Sequence, residues 1–238
     1  MAETRRLPVL VAAALAFLVL AGLGTWQVQR LQWKEGLLAS IQERIARPPA
    51  PLAAIEALYR RAHDVDYEPV ALSGSFRHDG ERHFFATWRG ETGYYVYTPL
   101  RLADGRFVFV NRGFVPYDLK DPARRPQGQV AGEVAVTGLA RNPLAQKPGR
   151  FVPNNDVPKN TFYWKDLAAM RDSAGLPPGA EVLPFFVDAD DAPNPGGLPA
   201  GGVTMIDLPN NHLQYAVTWY GLAAALAAVV FMWLRKRG

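Results

Sequence analysis

Hydrophobic positions fall into two regimes along the chain, long unbroken runs at its two ends and alternating patterns between them. Leu7–Gly24 is almost wholly apolar, with no charge between Arg6 and Arg30, and Leu213–Leu234 holds no ionisable side chain other than tyrosine. A helix rises about 1.5 Å per residue, so roughly 20 apolar residues cross a hydrocarbon core of about 30 Å. Both runs are long enough to do so. The alternative for the second is a buried core helix. For the first it is a cleaved signal peptide ending near Ala21-Gly22, although the apolar stretch is longer than a usual signal core. On the membrane reading the spans are 7–28 and 213–234, with short ends at 1–6 and 235–238. A helical extension and linker fill 29–62, and a β-rich domain fills 63–209.

Beyond the first run, Trp26, Arg30, Trp33, Leu37 and Ile41 recur at three- and four-residue intervals. That spacing continues the helix along one face until Pro48-Pro49-Ala50-Pro51 stops it. A short helix is expected over Leu52–Ala62. After it the period changes. Residues 67–76 (YEPVALSGSF) and 82–88 (RHFFATW) are rich in β-branched and aromatic side chains and predict strands. GYYVYTPLRL and RFVFVNRGFVP flank the turn sequence Ala103-Asp104-Gly105 and predict a hairpin. Residues 132–141 and 181–189 add two more strands, and 161–175 (TFYWKDLAAMRDSAG) predicts a helix stopped by Gly175 and Pro177-Pro178. Strands with few helical crossovers predict an α+β membrane protein. In it, two terminal transmembrane helices flank an antiparallel, barrel-like sheet carrying one or two helices.

Charge adds orientation. Of 26 basic and 22 acidic residues, five basic and one acidic lie at the two ends, which leaves 21 of each between Arg30 and Asp207. The net charge of +4 therefore sits wholly at the ends. That is the positive-inside pattern, with both termini cytoplasmic and the middle exported, and it removes net charge as a sign of nucleic-acid binding. The chain has no cysteine, so disulfides and thiolate metal sites are excluded. Six residues before the first run are too few for an Arg- and Ser-rich transit peptide. A two-pass protein of a bacterial inner membrane, with a periplasmic domain, is the simplest expectation.

Familiar enzyme signatures are missing: no G-x-S-x-G, no phosphate-binding G-x-x-x-x-G-K, no H-E-x-x-H and no C-x-x-C. Asp188, Asp190 and Asp191 lack the glycine position and the final glutamate of a calcium loop and predict a solvated acidic loop. His78 and His83, with Glu81 between them, have the spacing of neither a helix face nor one strand face. Asn111-Arg112-Gly113 ends a strand at a glycine suited to positive φ or a bulge. Arg112 is expected either to pair with a neighbouring carboxylate or to project toward a partner.

His212 stands directly before the second apolar run, in a chain with four histidines. At helical spacing it shares a face with Tyr215, Trp219 and Leu222. Thr218, Gly221, Ala225 and Ala228 form a small-residue face suited to close helix packing, with Phe17, Ala21 and Gly24 as its expected partner surface. Two readings of His212 stay open: an interfacial anchor, or an axial ligand of a haem iron covered by nearby rings, with Arg30 and Lys34 meeting the propionates.

LGTWQVQRLQWK (23–34), YEPVALSGSF, GYYVYTPL, VNRGFVP (110–116), GEVAVTGLAR, FVPNND (151–156), YWKDLAAM (163–170) and NHLQYAVTWYGL (211–222) occur in order along nearly the whole chain. Together they resemble the surfeit-locus (Shy-type) family of cytochrome c oxidase assembly factors. The resemblance implies two spans around an exported domain and a role in maturing subunit I of haem-copper oxidase. In bacterial members that role is tied to holding haem a and receiving it from haem a synthase. It places the family's second-span histidine on His212. With His212 as the residue the resemblance supplies, the expected haem-binding set is His212, Tyr215, Trp219, Trp26, Arg30 and Lys34, the others coming from their positions along the two helices. Asn111, Arg112 and Gly113 are the expected partner contact. A scaffold for subunit I that never touches haem is the alternative. An enzyme is not expected, because one membrane histidine is too few for a synthase that holds two haems.

Overall fold

The computed structural model describes residues 6–204, 206 and 210–236. They fall into two compact units: residues 43–205 form one, and the residues up to 42 and from 206 on form the other.

The second of these units is a pair of long helices. The first helix, α1 (Arg6–Ile45), runs unbroken for 40 residues and carries its last three into the sheet-bearing unit. The last, α4 (His212–Arg235), has 24 residues. Each is long and apolar enough to cross a membrane, and only 6% of each apolar window is buried. Side chains such as Leu15, Leu18, Val217 and Phe231 are left facing outward. A core helix of a water-soluble protein would hide that surface, so this alternative for the second run does not describe the chain.

In the sheet-bearing unit the first strand lies within the proline stop. A short strand β1 (Ala50–Pro51) leads into α2 (Leu52–Ala62), which ends where His63 turns left-handed and its N–H reaches the Tyr59 carbonyl. The strands are β2 (Glu68–Phe76), β3 (Arg82–Trp88), β4 (Glu91–Arg101), β5 (Phe107–Pro116), β6 (Glu133–Arg141) and β7 (Val182–Ala189). The expected hairpin is β4–β5, which pairs Arg101 with Phe107 across a turn where Gly105 sits at φ +88°.

Spatial order is β1-β2-β6-β7-β5-β4-β3, and β2 also meets β4 through Ser75–Arg101 and Phe76–Leu100. That contact closes β2, β6, β7, β5 and β4 into a five-stranded barrel. Gly74 permits the closure, because a Cβ there would stand 2.3 Å from the Arg101 carbonyl oxygen.

The sheet is mixed rather than wholly antiparallel: β5–β7 and β1–β2 are parallel. The long connection from β6 to β7 is what allows this. It lets β7 enter between β6 and β5, antiparallel to the first and hence parallel to the second.

Alternation along β5 and β7 serves two cores. Val108, Val110, Phe185 and Val187 join Val70, Leu72 and Leu100 in one cluster. Phe109 and Phe186 face the other way, onto Tyr97, Phe162 and Met170. Strands buried on both faces read as continuous apolar runs.

The helix over the β6–β7 connection, α3, covers only Leu167–Ser173, not 161–175. Its start is set by Asp166, whose carboxylate accepts from the Ala169 N–H. Phe162 instead donates to the His83 carbonyl and accepts from the Phe85 N–H, extending the sheet beside β3.

Candidate functional site

Within the helix pair, α4 meets α1 through His212 and Tyr220, with Ala216 and Ala223 on the same side of the helix. Ala216 and Ala223 are buried. A Cβ on Gly24 would come within 2.9 Å of the Tyr220 ring. The Tyr220 hydroxyl lies 2.9 Å from Thr25 Oγ1, whose own hydrogen goes to the Ala21 carbonyl. The expected packing face is therefore corrected. A Cβ on Gly221 would meet nothing within 4 Å, and of the expected α1 surface Gly24 makes the close approach. The ring of Tyr220, rather than a stripe of small residues on α4, fills the space that Gly24 leaves.

His212 opens α4 and is half-buried. Its Nδ1 stands 2.7 Å from Oε1 of Gln27, one of few buried polar side chains on α1. A carbonyl oxygen only accepts, so Nδ1 is the donor in this contact, and in the neutral tautomer that fits it the lone pair is on Nε2. This is the arrangement in which a protein presents an imidazole to a metal, the second nitrogen being tied down by an acceptor.

The other expected haem residues are not all drawn to His212. Lys34 lies two helical turns beyond Gln27 on the same face of α1, and Arg30 sits one turn on. The Arg30 guanidinium lies over the Trp33 ring at 3.9 Å. Trp26 is offset from Gln27 by one residue, a different direction on the helix, and is exposed, as is Tyr215. Trp219 is half-buried. Gln27 is not among the residues that the sequence pattern singles out. The available signal was an uncharged polar side chain at the end of an apolar span, a place where interhelical hydrogen bonds form.

The sheet-bearing unit holds buried charge. Glu81 accepts from both Nη atoms of Arg125 and from His83 Nε2 at 2.7 Å. Burial by itself would raise its pKa, but the hydrogen bonds from His83 and Arg125 outweigh this and hold it below the ordinary value. Asp188, also buried, accepts from Asn111 Nδ2 at 3.0 Å and Thr204 Oγ1 at 3.1 Å, and Arg141 Nη1 approaches to 3.5 Å. It therefore belongs to this network, not to a solvated loop with Asp190 and Asp191. His78 does not share Glu81's ring of donors directly: its Nε2 lies 2.9 Å from the Val130 carbonyl oxygen.

The expected partner surface at Asn111-Arg112-Gly113 is corrected as well. Asn111 and Arg112 are each 2% exposed. Gly113, at φ +128°, lies so close to Ala200 that a Cβ would be 2.0 Å from its carbonyl oxygen. Gly113 has the positive φ expected of it, but the strand does not end there: β5 runs on to Pro116 with a register shift against β4, and Arg112 lies buried. No carboxylate lies within ion-pairing distance of Arg112 among the described residues, so the pairing alternative is not met either.

These features sit in a chain whose sequence matches the model of the SURF1 family over residues 14–224. The chain belongs to the SURF1 family. Surfeit locus protein 1 of Rattus norvegicus is 40% identical over 232 residues, covering 90% of this chain and 71% of the rat protein. The SURF1-like protein of Monosiga brevicollis is 39% identical, with 91% and 84% covered. The human Surfeit locus protein 1 is 36% identical, with 90% and 73% covered. SURF1-family membership thus extends over both units, helix pair and sheet alike.

Proposed function

We propose that this SURF1-family protein assists the maturation of subunit I of a haem-copper cytochrome c oxidase by holding haem a, received from haem a synthase, and handing it on. The observation that carries this reading is the Gln27–His212 hydrogen bond at 2.7 Å. It fits the tautomer that carries its lone pair on Nε2, at the end of a membrane-length helix, which is what an axial haem ligand requires. Haem a is cargo in this scheme, and the chain supplies grip rather than chemistry. His212 contributes the ligand nitrogen, Gln27 holds its tautomer, and Trp219 and Tyr215 supply ring surface on the same helix. Arg30 and Lys34, on the face of α1 that carries Gln27, would meet the propionates. No catalytic step is assigned to any residue.

The setting is a two-pass protein of a bacterial inner membrane, with both termini cytoplasmic and the sheet-bearing unit periplasmic. Its support is the concentration of the net +4 charge at the two ends. Subunit I must dock elsewhere than on Asn111, Arg112 and Gly113, which are inside the barrel wall.

The deciding experiment is the haem a spectrum of the purified full chain from cells that make haem a. His212→Ala should abolish or sharply reduce the bound absorbance while membrane insertion persists. Gln27→Leu should retain haem with a shifted spectrum and faster loss, and His63→Ala should leave the spectrum unchanged. A His212→Ala protein carrying as much haem a as wild type would end the ligand reading and favour a scaffold that binds subunit I alone.

A further inference from the structure

Arg112, Arg82 and Arg125 are buried and Arg141 is half-buried in the sheet-bearing unit, and each must find acceptors. Arg125 has Glu81, and Arg82 has Ser173 Oγ and the Glu81 carbonyl. Arg141 has Asp66 and Asp188. Arg112 has less. Its Nη2 donates to the Gly128 carbonyl and to Asn194 Oδ1 at 3.3 Å. Its Nε and Nη1 are closed to water and have no acceptor. Glu81, the carboxylate whose field reaches Arg112, is already held by Arg125 and His83. Burial without a counter-ion pushes the Arg112 pKa down to about 10, with the Arg125 charge acting the same way. A buried guanidinium with idle donors and no anion is a costly arrangement.

The same side chain lines a cavity of about 300 Å³. Its other walls are mostly apolar: Phe76, Val134, Val136, Ala189, Ala192 and Pro193 figure among them. The Phe76 ring also lies over the guanidinium, 4.6 Å from it. Asp190 is the one carboxylate lining the cavity; it is exposed, and one of its oxygens accepts from the Ala192 N–H. A rim carboxylate selects against a dianion more strongly than against a monoanion.

We propose that this cavity is a binding site for a small monocarboxylate with an apolar body, whose carboxylate takes the idle donors of Arg112. The apolar walls hold the body and the guanidinium holds the charge, as a charge-assisted hydrogen bond. Phe76 is the side chain that has to turn for the carboxylate to arrive. The site is independent of His212 and of haem.

The test uses the full chain in detergent, with hexanoate, hexanamide and inorganic phosphate as probes, read by titration calorimetry and thermal midpoint. Hexanoate should bind and raise the midpoint, while hexanamide, of the same shape without the charge, should not. Arg112→Met should weaken hexanoate at least tenfold. Because that variant also alters the barrel wall, Ala192→Trp provides a second reading. It fills the exposed rim of the cavity, leaves Arg112 in place, and should weaken hexanoate to a similar degree. Equal binding of hexanoate and hexanamide, undiminished binding by Ala192→Trp, or stabilisation by phosphate and not by hexanoate would each overturn the assignment.

Discussion

In the helix pair, uncharged polar contacts join the two helices: Gln27 with His212, and Thr25 with Tyr220. Along both spans most of the apolar surface is turned outward. The sheet-bearing unit inverts the arrangement, with Glu81, Arg125, Asn111, Arg112 and Asp188 inside and polar residues on much of the surface. One rule bears on both, that a polar group withdrawn from water is costly without a partner in the protein, and Arg112 is where it is not met. They differ in the cost of breaking it. A buried carboxylate serving several donors cannot be removed without stranding them, whereas an interhelical hydrogen bond in a membrane is worth little because the separated helices find other partners. The contrast orders the expected effects of substitution.

The largest effect should come from Asp188. Asp188→Ala strands Asn111 Nδ2, Thr204 Oγ1 and Arg141 Nη1, and removes the carboxylate 3.9 Å from Lys165 Nζ. Burial already lowers the Lys165 pKa, with Asp188 opposing it. A loss of about 3–5 kcal/mol is expected for breaking such a buried network, seen as a lower midpoint in chemical denaturation of the full chain. A loss under about 1 kcal/mol would show that buried charge is no costlier here than an exposed pair.

Glu81→Gln comes next, at about 1.5–3 kcal/mol, because an acceptor remains but its charge does not. This site also has a pH signature. The folded-state pKa of Glu81 lies below its ordinary 4.5. Its contribution is therefore complete above about pH 4.5 and is lost as pH falls from there through the folded value. Wild-type stability should decline over that acidic window, and Glu81→Gln should flatten the decline. Equal slopes would remove Glu81 from the account.

In the helix pair, bulk should matter more than charge. Gly24→Leu drives side-chain atoms into the Tyr220 ring, which already lies 2.9 Å from a Cβ at that position. Overpacking of this kind costs about 1–3 kcal/mol. Gly221→Leu, with open space around its Cβ, should stay within about 0.5 kcal/mol of wild type. The comparison is a thermal midpoint in a single detergent, and a reversal of the two variants would mean that α4 packs through its other face.

Most of the architecture could be read from the chain because hydrophobic period is local information. The two membrane-length helices, the β4–β5 hairpin and the strands on either side follow from runs and alternation. What could not be read depends on a second element. TFYW at 161–164 has helical neighbours, yet Phe162 pairs with β3, a contact far away in sequence. The β5–β7 pairing is parallel because of where β7 enters, which alternation does not encode. At the site, His212 was legible as a histidine ahead of an apolar run. Its hydrogen bond to Gln27 was not, because interhelical register is a matter of packing. The burial of Arg112 is not legible for a related reason: the positive φ of Gly113 is foreseeable, but the register shift with which β5 runs on beside β4 depends on the pairing of the two strands.

The smallest effect expected is also the cleanest measure of the contrast. Thr25 Oγ1 gives its hydrogen to the Ala21 carbonyl and therefore accepts from the Tyr220 hydroxyl at 2.9 Å. Thr25→Val keeps the shape of the side chain and removes that acceptor. Tyr220→Phe removes the donor and leaves the ring against Gly24. Each should cost about 0.6 kcal/mol, the average for hydrogen bonds between membrane helices. The double variant should cost scarcely more than either alone, since both delete one bond. Additive losses in this cycle, measured by unfolding in mixed detergent, would mean that the two side chains act through separate contacts. A coupling of several kcal/mol would place the bond in the class of Asp188 and erase the difference between the two units.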